Sequence, residues 1–184
     1  DREFIERAQV IREKGTNRSL FFRGMVDKYS WIDIGSSYLM NDVSASYLWG
    51  QLERINEIQD DRLNSWKKYY EGLRDLEVNS FIKLPVIPKE SENNAHMFYL
   101  KVKDLAERTQ LLKYLKTNEI NAVFHYIPLH TSVAGKKFGT FSFEDVHTTK
   151  ESERLIRLPM YYNLSQDNIM EILLKIKQFF EENS

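Results

Sequence analysis

The sequence predicts an α+β fold: a helical opening, one long helix, and a small layer of strands and helices after residue 78. Three observations carry this. Val43, Tyr47, Leu48, Leu52, Ile55, Leu63, Trp66, Tyr70 and Leu73 recur mostly at spacings of three, four or seven, the period of one helical face. Residues 81–85, 97–102 and 122–126 are short runs rich in aromatic and aliphatic side chains, the composition of strands. Asp104 and Ser165 each precede an amphipathic pattern in the position of a helix cap.

Taken in order, residues 3–14 place Phe4, Ala8 and Ile11 on one helical face, and Gly15 supplies the left-handed stop. Residues 16–37 read as an irregular polar loop carrying Phe21, Phe22, Tyr29 and Trp31, which need a surface to dock on. Asn41 or Asp42 caps the long helix. Unbroken to Leu76 it would run about 50 Å at ~1.5 Å per residue, a spine between two domains. Gly50 and the Asn64-Ser65 pair are the places expected to bend it. Pro85 marks an edge or an end of the first strand. Residues 88–94 form a polar loop, and Asp104 with Glu107 makes a capping box opening a helix through Asn118. Residues 131–147 read as a glycine-spotted loop. Ser165 caps a last helix bearing Ile169, Ile172, Leu173, Ile176, Phe179 and Phe180. The expected segments are therefore 1–40, 41–78 and 79–184.

Of 184 residues, 26 are basic and 27 acidic, a formal charge of -1 that argues against a general nucleic-acid binder or a polybasic membrane clinger. The absence of cysteine excludes disulfides, thiolate nucleophiles and cysteine-ligated zinc, and suits a cytoplasmic setting. No apolar run is long enough to cross a bilayer. The chain opens at Asp1-Arg2-Glu3-Phe4 inside a helical pattern and without methionine, which predicts a piece of a longer protein.

Three places hold residues of chemical interest. Between Arg12 and Lys28 lie five basic side chains (Arg12, Lys14, Arg18, Arg23, Lys28) against Glu13 and Asp27. Arginine forks and loop amides receive phosphate, but without a glycine-rich phosphate fingerprint a solvated loop paired with its neighbours is the better reading of spacing alone. Ser36 and Ser37, ahead of the long helix, fit either a cap or an anion contact. His125 and His130 flank Pro128; a metal pair lacks its third and fourth ligands, so histidines lining a polar cleft are the better reading, and zinc is not expected. No Gly-x-Ser-x-Gly elbow supports a hydrolase. His96 and the acidic pairs Asp60-Asp61 and Glu181-Glu182 read as structural or solvated.

Several strings together resemble one family. They are Ile11-Arg12-Glu13-Lys14-Gly15, Trp31-x-Asp33-x-Gly35-Ser36-Ser37-Tyr38, Ala45-x-x-Leu48-x-x-Gln51-Leu52-Glu53, His125-Tyr126-x-Pro128-Leu129-His130, and Arg157-Leu158-Pro159-Met160-Tyr161-Tyr162-x-Leu164-Ser165. Their order and content resemble the pyridoxal-phosphate sugar-nucleotide aminotransferases, in particular a branch making dTDP-linked 4-amino sugars. The resemblance implies a fold-type-I subunit: residues 1–40 as the end of its large domain, 41–78 as a connecting helix, and 79–184 as its small carboxy-terminal domain. It implies a homodimer that transfers an amino group from glutamate to the 4-keto group of dTDP-4-keto-6-deoxyglucose. It also implies that the Schiff-base lysine, the aspartate facing the pyridine nitrogen and the ring-stacking residue precede this chain. The chain alone would then hold no catalytic residue, bind no pyridoxal phosphate and be inactive. Ser37 occupies the place where relatives carry an Asn reaching the cofactor phosphate of the neighbouring subunit, with Leu39 where they carry Arg. Arg18 and His130 are the implied substrate binders. A non-catalytic dimerisation or interaction module is the alternative reading.

Overall fold

The computed structural model describes residues 4–183; residues 1–3 and 184, the extreme ends of the expected first and last segments, lie outside the described residues. The chain forms two compact units that divide between Arg54 and Ile55.

The first unit holds α1 (Ile5–Arg12), α2 (Arg18–Phe22) and α3 (Asp42–Leu52). A helix end leaves carbonyls without partners, and here the following loop supplies them. Gly15 N–H donates to Val10 O at 2.8 Å, Ser36 N–H to Ile11 O at 2.9 Å and Tyr38 N–H to Arg12 O at 3.2 Å. Lys14 and Gly15 both turn left-handed, at φ 64° and 75°. The stretch expected to be irregular is therefore zipped: Glu13 bridges Ser37, and Thr16 bridges Trp31. Two glycines permit this. A Cβ on Gly15 would sit 1.7 Å from Asp33 O, and one on Gly35 would sit 2.1 Å from Gly15 N. Neither obstacle is a side chain that could swing away.

The single helix expected over 42–76 is three helices: α3, α4 (Ile55–Gly72) and α5 (Arg74–Val78). Neither Gly50 nor Asn64-Ser65 breaks it; Gly50 lies inside α3, and Asn64 and Ser65 inside α4. The first interruption follows Leu52, where Arg54 N–H tightens onto Gln51 O, three residues back. The second is at Leu73, which is fully buried and adopts φ -106°, while Asp75 turns its carboxylate onto Leu76 N–H at 3.0 Å.

In the second unit β1 (Phe98–Lys101), β2 (Val123–Phe124) and β3 (Leu155–Leu158) form an antiparallel sheet in the order β1-β3-β2. Phe98 faces Leu158, Leu100 faces Ile156, and Phe124 also faces Ile156. The alternation of strands buries Phe98, Leu100, Ile156 and Leu158 on one face. That face joins one core with Tyr69 and Leu73, with Leu111 and Leu115 of α6 (Leu105–Thr117), and with Ile169, Ile172 and Ile176 of α9 (Gln166–Glu182). Burying such side chains contributes roughly 1.5–3 kcal/mol each. Asp104 accepts from Glu107 N–H at 3.0 Å and Ser165 from Asn168 N–H at 3.2 Å, so both expected caps form. Of the expected strand at 81–85 only Lys83 pairs, across to Lys101. Within the expected loop at 131–147 stands α7 (Val133–Phe138), and α8 (Thr148–Arg154) runs directly into β3.

Arg62 of α4 ties this unit's segments together. Its guanidinium donates to Ala95 O at 3.1 Å, His96 O at 2.6 Å and Met160 O at 3.5 Å. Its planar fork suits several carbonyls at once.

Candidate functional site

The residues singled out by sequence fall in different units. In the first, Arg18 opens α2 with its guanidinium 5.1 Å from the centre of the Phe22 ring. Ser37 is fixed through its backbone bridge to Glu13, and its side chain is exposed. Neither Ser36 nor Ser37 caps α3; Asn41 does, accepting from Ser44 N–H at 2.9 Å. No hydrogen bond or ion pair joins Arg18 to Ser37 among the described residues. Asp33 is engaged by Arg7 at 2.7 Å and by Ile34 N–H at 2.7 Å.

In the second unit the His125–His130 string crosses from β2 into a tight turn. Thr131 Oγ1 donates to Pro128 O at 2.9 Å, and Ser132 Oγ donates to Leu129 O at 2.6 Å. Ser132 Oγ also accepts from Gly135 N–H at 3.0 Å, which opens α7. A Cβ on Gly135 would lie 1.7 Å from Leu129 O, so that close approach needs glycine. His130, half-buried on this turn, stacks on Phe141 with centroids 4.3 Å apart. Its Nε2 lies 2.7 Å from Asp145 Oδ2.

Asp145 also accepts from the Thr149 hydroxyl and, at 3.2 Å, from Thr149 N–H. The Thr149 hydroxyl, then the His130 ring, hold the Asp145 carboxyl down to about 2 against the partial desolvation that opposes them. An ionised carboxylate only accepts, so Nε2 carries the proton on that side, and in the neutral ring Nδ1 is left as the acceptor. The pairing between His130 and Asp145 lay outside sequence reasoning, because the partners are 15 residues apart in a stretch with no regular pattern.

His125 lies elsewhere. Its ring meets Tyr126 edge-on at 4.9 Å, and Nδ1 is buried without a hydrogen-bond partner. It lines a concavity of about 620 Å³ with Tyr99, Tyr126, Leu129 and the Lys101–Glu151 ion pair, which closes at 2.7 Å. The Lys101 ammonium holds the Glu151 carboxyl below its ordinary range. Arg157, on the same sheet face as Tyr99, places its guanidinium 6.0 Å from the Tyr126 ring centre. Among the described residues no three His, Asp or Glu side chains converge as a metal cage. Also among them, no helix is long and apolar enough to cross a membrane.

The DegT/DnrJ/EryC1/StrS aminotransferase family matches along residues 1–177. The chain belongs to that family. Among curated members it is 26% identical to the dTDP-3-amino-3,4,6-trideoxy-alpha-D-glucose transaminase of Micromonospora megalomicea, over 86% of this chain and 43% of that protein. It is likewise 26% identical to the UDP-4-amino-4-deoxy-L-arabinose–oxoglutarate aminotransferase of Shewanella sediminis, over 97% of this chain and 48% of that one. The PLP form of a putative sugar aminotransferase from Streptococcus pneumoniae shares the fold at TM-score 0.79 and 22% identity, over 99% of this chain and 44% of that one. The chain thus spans about half the length of the curated relatives it matches.

Proposed function

We propose that the chain is the carboxy-terminal part of a homodimeric, pyridoxal-phosphate sugar-nucleotide aminotransferase. In this reading the whole enzyme moves an amino group from glutamate to the 4-keto group of dTDP-4-keto-6-deoxyglucose, giving dTDP-4-amino-4,6-dideoxygalactose. The observation that carries the reading is the family match along nearly the whole chain. The 4-keto assignment draws on Ser37 and Leu39, which stand where relatives carry Asn and Arg. Residues 1–40 then belong to the large domain, 41–78 to the connection and 79–184 to the small domain.

The described residues do not make a complete site for the cofactor. A Schiff-base lysine is activated by desolvation or by a neighbouring cation. No described lysine is buried, and Lys101 and Lys177, both half-exposed, are paired with Glu151 and Asp75 at 2.7 Å. Ser37 offers a hydroxyl suited to one phosphate oxygen of the neighbouring subunit's cofactor, and nothing more. Pyridoxal phosphate, when bound, supplies the electron sink of transamination. Arg18 and His130 act as substrate binders, Arg18 through charge and His130 through the ring nitrogen that Asp145 leaves open.

Two measurements test the proposal. The chain incubated with pyridoxal phosphate, glutamate and the keto sugar should form no amino sugar, and borohydride reduction should label scattered lysines substoichiometrically. One lysine labelled stoichiometrically would overturn the assignment of inactivity. The longer enzyme, offered dTDP-linked 3-keto and 4-keto sugars side by side, should aminate C4; a 3-amino product would overturn the substrate.

A further inference from the structure

A concavity of about 710 Å³ in the second unit is edged by Lys83, Lys101, Lys103, Lys150 and Arg154. Its volume is that of an ordinary small-molecule site, for which the usual range is roughly 300–1,000 Å³. The segments bearing these cations are fixed to one another through the backbone. Lys83 and Lys101 exchange N–H···O bonds at 2.8 and 2.9 Å, and Val102 N–H donates to Arg154 O at 3.0 Å. Arg154 returns a bond from Nε to Val102 O at 2.7 Å and is only 15% exposed. The backbone positions of Lys83, Lys101 and Arg154 are therefore held side by side along the sheet edge.

The carboxylates nearby leave an excess of positive charge. Glu77 and Glu107, the two acids in the lining, are turned onto backbone amides, accepting from Leu84 N–H at 2.8 Å and Lys103 N–H at 2.7 Å. Glu151, next to the cavity, serves Lys101 at 2.7 Å and Arg154 at 3.3 Å. Among the described residues Lys83 and Lys103 have no salt-bridge partner, and Lys150 meets Glu151 only at longer range than a salt bridge. Cations gathered in a concave, partly apolar cavity focus a field that water and salt screen less than at an open surface.

We propose that this concavity binds a small phosphate-bearing anion, of the diphosphate class. A carboxylate brings a single negative charge to this group of cations, whereas a diphosphate brings several on two linked phosphates and can meet more than one of Lys83, Lys103 and Lys150 at once.

The test is calorimetric titration of the chain with inorganic pyrophosphate at low ionic strength. One saturable site is expected, with inorganic phosphate binding more weakly. The triple variant Lys83→Gln, Lys103→Gln, Lys150→Gln removes three exposed side chains outside the core and should weaken binding by about tenfold or more, the scale expected from losing charge-assisted contacts. The control Lys113→Gln, Lys116→Gln, Lys136→Gln makes the same change in net charge away from the cavity and should leave affinity within about twofold. A parallel titration with dTDP separates the sources of the diphosphate. Tighter binding than pyrophosphate identifies a nucleotide ligand, and equal binding identifies the diphosphate alone. No saturable binding, or equal weakening in both triple variants, would overturn the proposal.

Discussion

A carboxylate that accepts from a hydroxyl, a backbone amide and an imidazole at once stays ionised far into acid. Asp145 is in that position, with its folded value at about 2, below the ordinary ~3.9. The sign follows from linkage: its contribution is fully present above the ordinary value and is lost as pH falls through about 2. Carbon-13 NMR of the side-chain carboxyl should therefore show a midpoint near 2; a midpoint near 4 would mean the clamp on His130 is absent in solution. Asp145→Asn should remove that low titration and speed proteolysis between residues 131 and 147, with little effect on the core. His130 was legible as a candidate because it sits in a motif. Its partner was not, since a contact across an irregular stretch has no period to reveal it.

The last helix shows how far an element can be read from its own residues. Ile169, Ile172, Ile176 and Phe179–Phe180 recur at helical spacing behind a serine cap, and all are buried in α9. Replacing Ile172, which is 5% exposed, by Asp sets an unpaired charge in the core. Urea unfolding of the full chain should show a loss of roughly 3 kcal/mol or more. Leu174→Asp on the same helix, where the side chain is 53% exposed, should stay within about 0.5 kcal/mol. Equal effects would mean α9 is not docked on the sheet. The strands behaved differently. β3 has only four residues, directly after a charged helix, and its alternation is too short to stand out. It is nonetheless the middle strand, because Ile156 and Leu158 complete the face that Phe98 and Leu100 begin.

Across the whole molecule the two units differ in how they cover apolar surface. The second unit encloses a continuous core, whereas the first leaves Phe22, Trp31, Tyr47 and Trp49 exposed, Trp31 by 75%. Burial of aromatic surface of this kind is worth roughly 1.5–3 kcal/mol per side chain. Light scattering should accordingly show self-association that grows with concentration and falls in the Trp31→Ser, Trp49→Ser variant. A strict monomer across the concentration range would count against this surface as an interface. Phe22 and Trp31 lie in the segment proposed above to belong to a large domain, which would otherwise cover them.

By itself the sequence determined what local chemistry dictates: the stop at Gly15, the caps at Asp104 and Ser165, a cap at Asn41 or Asp42, and the buried face of the last helix. Each follows from a backbone preference or a period contained in a few neighbouring residues. The tertiary structure decided the rest. It broke the long helix at Leu73, where a fully buried side chain and a turning carboxylate outweigh a continuous hydrogen-bond ladder. It laid Gly35 against Gly15, joined His130 to Asp145, and drew cations from three segments around one cavity. Those arrangements depend on residues far apart in the chain, and only packing, which acts on all of them at once, selects among the contacts their side chains allow.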